Sequence, residues 1–537
     1  MRKVLFTCLC LLTLTCFGQI EFKFRVWLKD KDAVANSNID AKSALTTRSI
    51  LRREKQHILL DSTDIPVSKR YIGLLAQTGV RIVTTSRWMN TVVVAMTDSS
   101  IVNTIRQKSF VKATELVWVG QGAQSASKFL NQPLVADAQP RSATEFAEYG
   151  SGLAQLSVSN AQKLHQAGFR GEGKVIALID AGFMNTDTIS AYKRTTILGT
   201  KDFVNPGGNV FKEDKHGEQV LSTVGAIDSF HFIGSAPRAA FWLLRTEDAP
   251  TEFPVEEDYW AAAAEFADSV GVDVINSSLG YAVFDLPALD HTHEQLDGKT
   301  IFVTRAAQMA ADKGIFVCIS AGNEGSNAWK NINAPADAAD VLTVGAINIQ
   351  HQIASFSSLG YTADNRVKPD VVAVGQNTYL LNMYGQVSTG SGTSFSSPLM
   401  AGMATCLWQA LPQLTNKELL TLIRQQSNFY TTPDVRYGYG IPDLWNAYLV
   451  KTDVPKVIVD EPDIFFSNKR SSNITVRNLP TNDSVYTLNI YTQTGKMIHS
   501  QVISNQEQVL SVKALKQGFY VVYIEGKNHR FTKKLIK

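Results

Sequence analysis

Three side chains in this sequence could together turn a hydroxyl into a nucleophile. Asp180 ends the apolar run Val175-Ile176-Ala177-Leu178-Ile179, His216 opens the stretch His216-Gly217-Glu218-Gln219-Val220-Leu221, and Ser394 follows the glycine turn Thr389-Gly390-Ser391-Gly392-Thr393. A serine hydroxyl is a poor nucleophile until a neighbouring imidazole takes its proton, and that imidazole must be held in the right tautomer by a carboxylate. These three residues supply the three groups. A tetrahedral intermediate also needs donors for its oxyanion, and Asn323 in Ala321-Gly322-Asn323-Glu324-Gly325 offers a side-chain amide directly after the apolar run 315–320. Read one at a time, each has a plainer meaning: a strand-end Asp caps or turns, a lone His sits at a helix start, and Asn with Gly makes a turn.

The elements that must position these groups are legible as alternating patterns. Apolar strand runs at 175–179, 274–277, 315–320 and 341–346 alternate with helical patterns at 262–270 and 306–313, which predicts an α/β domain over about 150–450 with a parallel sheet flanked by helices. Open sheets of this kind build their sites at the carboxyl ends of strands. Ser394 stands at the head of an apolar helix running through Leu407, with Pro398 near its first turn, where proline is tolerated.

Two further regions flank that domain. Residues 20–135 mix strand-like runs at 22–27 and 90–96 with a helical stretch at 68–77, a small α+β domain, and 125–144 is rich in Ser, Ala, Gln and Pro, as exposed linkers are. From about Pro455 onward, short alternating runs at 484–491, 497–503 and 519–524 predict a small all-β module, with Thr494-Gly495 as a hairpin signal. At the other end, Met1-Arg2-Lys3 and the apolar run 4–14 have the form of a secretory signal peptide over 1–18, too short to span a bilayer. Cleavage after Gly18 is the favoured reading, and lipid attachment at Cys16 is its rival.

Composition narrows the remaining choices. Of the 537 residues, 44% are hydrophobic and 19% charged, and the formal net charge is +3, so the chain is ordinary globular protein without the basic footprint of a nucleic-acid binder. Of its 5 cysteines only Cys318 and Cys406 lie beyond the leader; both sit in apolar runs as buried thiols would, and spacing leaves a bridge between them undecided. His291, His293 and Glu294 read as a solvated loop rather than a metal site, for want of a ligand motif of known spacing. Glu256, Glu257 and Asp258 read as a helix start, with a substrate-facing role as the alternative.

Taken in order, these motifs resemble the subtilisin-like serine proteases, the subtilases. Ile179-Asp180-Ala181-Gly182 is similar to their Asp motif, His216-Gly217 with Val220 to their His motif, and Gly392-Thr393-Ser394 with Pro398 to their Ser motif; the order Asp, His, Ser is also theirs. Gly271 to Gly280 resembles their substrate-binding strand, Ala321 to Gly325 their oxyanion segment, and Val341 to Ala346 with Lys368 to Val371 the strands before the nucleophile. The resemblance implies Asp180, His216 and Ser394 as catalytic, Asn323 as oxyanion donor, and Ser278, Leu279, Gly280, Ala321 and Gly322 as substrate-binding. It implies a subtilisin-like peptidase domain over 145–452 that hydrolyses peptide bonds through an acyl-enzyme.

The same resemblance extends to the flanks. Residues 19–140 occupy the place of a subtilase propeptide, a folding template and temporary inhibitor, against the plainer reading of a permanent accessory domain. Residues 455–537, with Leu515 to Ile524 and Phe531 to Lys537, resemble the β-sandwich sorting domain of type IX secretion cargo, against a generic binding module. The expectation is a self-processed zymogen, secreted or held at the cell surface, monomeric, acting on proteins or peptides with its own propeptide as inhibitor and the type IX machinery as partner. No cofactor is required. Calcium is common in the family, yet no loop here has its ligand spacing, so no metal is assigned. The rivals are an inactive subtilase fold used for adhesion, and an esterase. Three positions depart from the family: Ala181 and Glu218-Gln219 stand in place of Thr and Thr-His, and Phe395 in place of Met.

Overall fold

The computed structural model describes residues 20–32, 41–120, 147–452 and, in the tail, 463–466, 473–477, 479–480, 483–492, 495–513, 515–516, 518–527 and 530–536. The leader over 1–18 and the linker over 125–144 lie outside the described residues. The chain divides into two compact units, Met1–Thr452 and Asp453–Lys537. Among the described residues, no helix is long and apolar enough to cross a membrane.

The first unit is built on seven strands: β1 Val175–Asp180, β2 Thr196–Asp202, β3 Ala240–Arg245, β4 Val274–Ser277, β5 Phe316–Ser320, β6 Leu342–Ile347 and β7 Val371–Val374. They lie in the order β7-β6-β5-β4-β1-β3-β2, and every pairing is parallel. Strand β1 shows why its run is apolar throughout. Ile176 and Leu178 face one core, while Val175, Ala177 and Ile179 face the other, so both sides of the sheet are covered. The covering helices are α1 His216–Gly225 and α4 Thr393–Ala410 on one face, and α2 Val255–Ser269 and α3 Phe302–Asp312 on the other. Helix α4 is buried over residues 393–408, which explains why its sequence has no polar stripe.

From β1 the chain crosses to the edge strand β2, comes back to β3 between them, and then passes to β4 on the other side of β1. That reversal opens a crevice at the carboxyl ends of β1 and β4, which is where Asp180 and Ser278 emerge.

Before this domain, strands Glu21–Leu28, Arg81–Ser86, Thr91–Met96 and Val111–Gly120 form an antiparallel sheet. Helices Lys69–Ala76 and Ile101–Arg106 cover one face: Val92, Val94 and Met96 pack there with Tyr71, Leu75, Val102 and Ile105. The other face is not left to solvent. Trp88, Met89, Val93, Val117 and Trp118 join the hydrophobic cluster of α2 and α3. Ion pairs run alongside. Asp258 takes Arg25 Nε and Nη2 at 2.8 and 2.7 Å, while Asp268 takes Arg52 and Arg53 at 2.5 Å each and Arg87 at 3.1 Å.

This packing changes the reading of two sequence features. Glu256, Glu257 and Asp258 do lie in the first turn of α2, but all three are buried, with Asp258 paired to Arg25. His291 is not solvated: its Nε2 lies 2.5 Å from Glu257 Oε1, whereas His293 turns to the carbonyl of Tyr361 at 3.3 Å. Both outcomes depend on partners remote in sequence. Cys318 and Cys406 are buried free thiols.

The second unit is a sandwich of two antiparallel sheets. Strands Asp463–Phe466, Asn473–Arg477 and Gln508–Ser511 form one, and Met497–Ser504, Val485–Thr492, Phe519–Glu525 and Arg530–Ile536 the other. Ile474, Val476, Leu488, Ile490 and Val522 share its core. At the sequence-predicted hairpin, Gly495 donates its N–H to the Thr492 carbonyl at 2.9 Å.

Candidate active site

Asp180 closes β1 and is fully buried. Its Oδ1 accepts the Ala181 N–H at 2.8 Å and lies 2.7 Å from His216 Nδ1. Two glycines permit that approach. A Cβ on Gly217 would stand 2.3 Å from the Gly182 carbonyl oxygen and 2.9 Å from the Asp180 Cβ, and one on Gly182 would stand 2.3 Å from the Asp214 nitrogen. Asp214 in turn accepts the His216 N–H at 2.8 Å and fixes the start of α1. Asp180 Oδ2 is buried with no hydrogen-bond partner among the described residues, and Ala181 has no hydroxyl to offer it.

The charges set the imidazole. Burial works to lower the pKa of His216, but the Asp180 carboxylate outweighs it through charge and hydrogen bond, with Asp214 and Glu247 adding to the pull, and the result is raised above the ordinary histidine value. Burial raises the Asp180 carboxyl against the same attraction. With Nδ1–H directed to Asp180, Nε2 is the basic atom.

Ser394 is the second residue of α4 and is buried apart from its rim, 8% exposed. The turn before it depends on Gly392, whose φ of +156° with ψ of 150° is a conformation that L side chains rarely adopt. Pro398 lies inside α4 and has no N–H to give the carbonyl four residues back, which is that of Ser394. Ser278 fills the gap: its Oγ donates to the Ser394 carbonyl at 2.9 Å, and Ser394 Oγ donates to the Ser278 carbonyl at 3.3 Å. Asn276 holds Ser278 from behind, Nδ2 to Oγ at 3.1 Å, and is itself held by Ser397 Oγ at 2.8 Å.

Asn323 is oriented by Thr393. Its Oδ1 accepts both the Thr393 N–H at 2.9 Å and the Thr393 hydroxyl at 3.0 Å, so Nδ2 is the end left to a ligand. A point one bond from the Gly392 Cα, where a side chain would begin, lies 3.7 Å from both Asn323 Nδ2 and the Ser394 nitrogen. Glycine leaves that space open. Two N–H donors and the positive end of α4 converge on it, an arrangement suited to an oxyanion.

The crevice thus gathers Asp180, His216, Ser278, Asn323 and Ser394. Gly280 and Gly322 lie on its two walls, while the side chains of Leu279 and Ala321 are turned into the core cluster of α2 and α3, leaving only their main chain to a ligand. Phe395, at the position of a family methionine, places its ring 6.1 Å from that of His216. Sequence reasoning did not find Asn276 or Thr393 as positioning residues. Nor did it bring Glu247 and Glu252 together with Glu256, although the three carboxylates come within 4.8 Å of one another. Glu256 already accepts the N–H groups of Asp248 at 2.7 Å and Phe253 at 3.3 Å.

Comparison with known proteins finds three family models along the chain. Residues 171–440 match the Subtilase family, 23–132 the Peptidase S8 propeptide domain of Bacteroidota, and 468–537 the Secretion system C-terminal sorting domain. Serine protease AprX of Bacillus subtilis (strain 168) is 29% identical over 307 residues, spanning 52% of this chain and 66% of its own length. Subtilisin of Bacillus pumilus is 28% identical over 293 residues, spanning 54% of this chain and 95% of its own. A crystal structure of MycP1 from Mycobacterium smegmatis aligns over 59% of this chain and 89% of that one, with 23% identity and a TM-score of 0.46.

Proposed function

The chain belongs to the subtilase family of serine-type endopeptidases and carries a sorting domain for export to the cell surface or beyond, and from that premise we propose how its residues act. Ser394 Oγ attacks the carbonyl carbon of a peptide bond while His216 Nε2 takes its proton. Asp180 keeps the imidazole in the tautomer that leaves Nε2 free and balances its charge once protonated. The carbonyl oxygen, now an anion, lies between Asn323 Nδ2 and the Ser394 N–H. His216 then gives the proton to the leaving amine, the C–N bond breaks, and an acyl ester on Ser394 remains. Water repeats the sequence in the second half, losing a proton to His216 as it attacks and releasing the acid and free Ser394.

The observation that carries this reading is the 2.7 Å contact between His216 Nδ1 and the buried Asp180 Oδ1.

Residues 19–140 act as an inhibitory prodomain that the enzyme removes from itself; the broad apolar and ionic packing of its described residues on α2 and α3 supports a role as folding partner. The exported enzyme is a monomer that cleaves proteins or peptides, and the type IX machinery recognises its tail. Intact-mass measurement of wild type and Ser394→Ala tests self-processing. Wild type yields separated prodomain and peptidase, and the variant stays joined; the same cleavage in both would refute it.

A further inference from the structure

Residues 41–58 lie between the first strand of the amino-terminal sheet and the helix Lys69–Ala76, yet they take no part in that sheet's own core. They cross instead to the carboxyl ends of α2 and α3. Thr46 N donates to the Ser269 carbonyl at 2.8 Å, and the helix Thr47–Lys55 then lays its arginines along the turns that follow α2 and α3. Arg48 Nε donates to the Gly271 carbonyl at 2.8 Å, and Arg52 donates to the carbonyls of Val272 at 2.7 Å and Lys313 at 3.3 Å. Gln56 closes the line, with Nε2 donating to the Gly314 carbonyl at 2.7 Å and Oε1 accepting the Asn416 N–H at 2.9 Å.

The peptidase domain is shaped for this segment. Neither α2 nor α3 has a basic residue in its last turn to meet its negative end, and α2 places the fully buried Asp268 there instead. The segment supplies the missing cations: Arg52 and Arg53 reach Asp268 at 2.5 Å each, and Arg48 pairs with Asp273. Gly271 and Gly314 end the two helices with φ of +82° and +87°. A Cβ on either would strike the segment, at 2.7 Å from the Arg48 Cβ and 2.7 Å from Gln56 Nε2 respectively. This surface lies at the amino ends of β4 and β5, whereas Ser278 leaves the opposite end of β4, about 15 Å away.

We infer that residues 41–58 anchor the prodomain to the base of the peptidase domain independently of the crevice. The base is a docking surface for an arginine-bearing helix, and its occupant is this segment of the same chain. This rests on the reading of residues 19–140 as a prodomain separated from the peptidase. Cutting the connection does not by itself release the prodomain, because departure must strip Asp268 of two guanidiniums and uncap both helices. Whatever enters the crevice, these bonds stay in place.

The test uses the intact Ser394→Ala chain with two sites for a specific protease, one after Gly120 and one before Ala147, so that excision removes every residue joining the two domains. Gel filtration then follows the prodomain. It is expected to co-elute with the peptidase after excision, and to dissociate at least about tenfold faster when Arg48→Ala and Gln56→Ala are combined. Arg81→Ala, which removes an exposed pair with Glu21 inside the prodomain, should leave the rate unchanged. Release of the prodomain on excision overturns the inference even if no variant folds, and so does a double variant that dissociates at the unaltered rate. The Ser394→Ala chain makes the outcome independent of peptide cleavage, so a wild-type enzyme that fails to process itself would count against the proposed function alone.

Discussion

Ser278 and Ser394 hold each other across the crevice, each hydroxyl donating to the other's carbonyl, at 2.9 Å from Ser278 and 3.3 Å from Ser394. The exchange ties the end of a sheet strand to the first turn of the buried helix, so the nucleophile is placed by the sheet and not by its own turn alone. Proline at 398 makes it necessary, because it removes the N–H that would otherwise satisfy the Ser394 carbonyl.

Ser278→Ala should therefore do more than trim a side chain. The Ser394 carbonyl loses its donor inside the protein, at a cost of about 1–3 kcal/mol. Thermal unfolding should move to lower temperature, and kcat should fall by about tenfold or more as the first turn of α4, which carries Ser394, loses its tie to the Ser278 hydroxyl. Ser278→Thr, which keeps the hydroxyl, should recover most of the loss.

Asn323→Ala removes one of the two oxyanion donors and should lower kcat by about a hundredfold to a thousandfold with KM little changed. An unchanged kcat would show that the amide turned outward by Thr393 does not meet the developing charge.

The pH profile follows from two buried groups with opposite consequences. His216 must be neutral to accept a proton, and its pKa is raised by Asp180 in spite of burial, so kcat/KM should climb with pH through a midpoint above the ordinary histidine value. Glu218 is fully buried, its Oε1 accepts Tyr192 OH at 2.7 Å, and its Oε2 has no partner among the described residues; burial pushes it up to about 8. A folded-state pKa above the unfolded one gives stability that is present at low pH and lost as pH rises toward 8. Glu218→Gln, an isosteric change that cannot ionise, should thus raise the unfolding temperature more at pH about 8 than at pH about 5.

How much of this was legible from sequence depends on how local the determinant is. Asp180 and Ser394 each stand at a joint between an apolar run and glycine and His216 is followed directly by Gly217, because the chain must turn sharply or approach closely there, and those glycines can be read without a structure. The strand Thr196–Asp202 was not legible: it lies at the sheet edge, largely exposed, and its sequence has no apolar run. The Ser278–Ser394 exchange and the Arg25–Asp258 pair join residues far apart in the chain, so no spacing announces them.

The Arg25–Asp258 pair gives a test of the prodomain interface. Arg25→Met in the intact Ser394→Ala chain leaves Asp258 buried without its guanidinium, which should destabilise the protein by about 3–5 kcal/mol at neutral pH. Burial already lifts Asp258 to about 6 with Arg25 present, so acid neutralises the stranded carboxylate and the penalty should shrink below that pH. Urea unfolding at two pH values measures both effects.

The central claim is that His216, oriented by Asp180, activates Ser394, and reaction of the mature enzyme with a fluorophosphonate probe tests it most directly. The account predicts a single phosphonylated residue, Ser394, found by peptide mass spectrometry, with labelling abolished in Ser394→Ala and slowed by about a thousandfold or more in His216→Ala. Labelling elsewhere, or turnover of peptide substrate by Ser394→Ala near the wild-type rate, would contradict it.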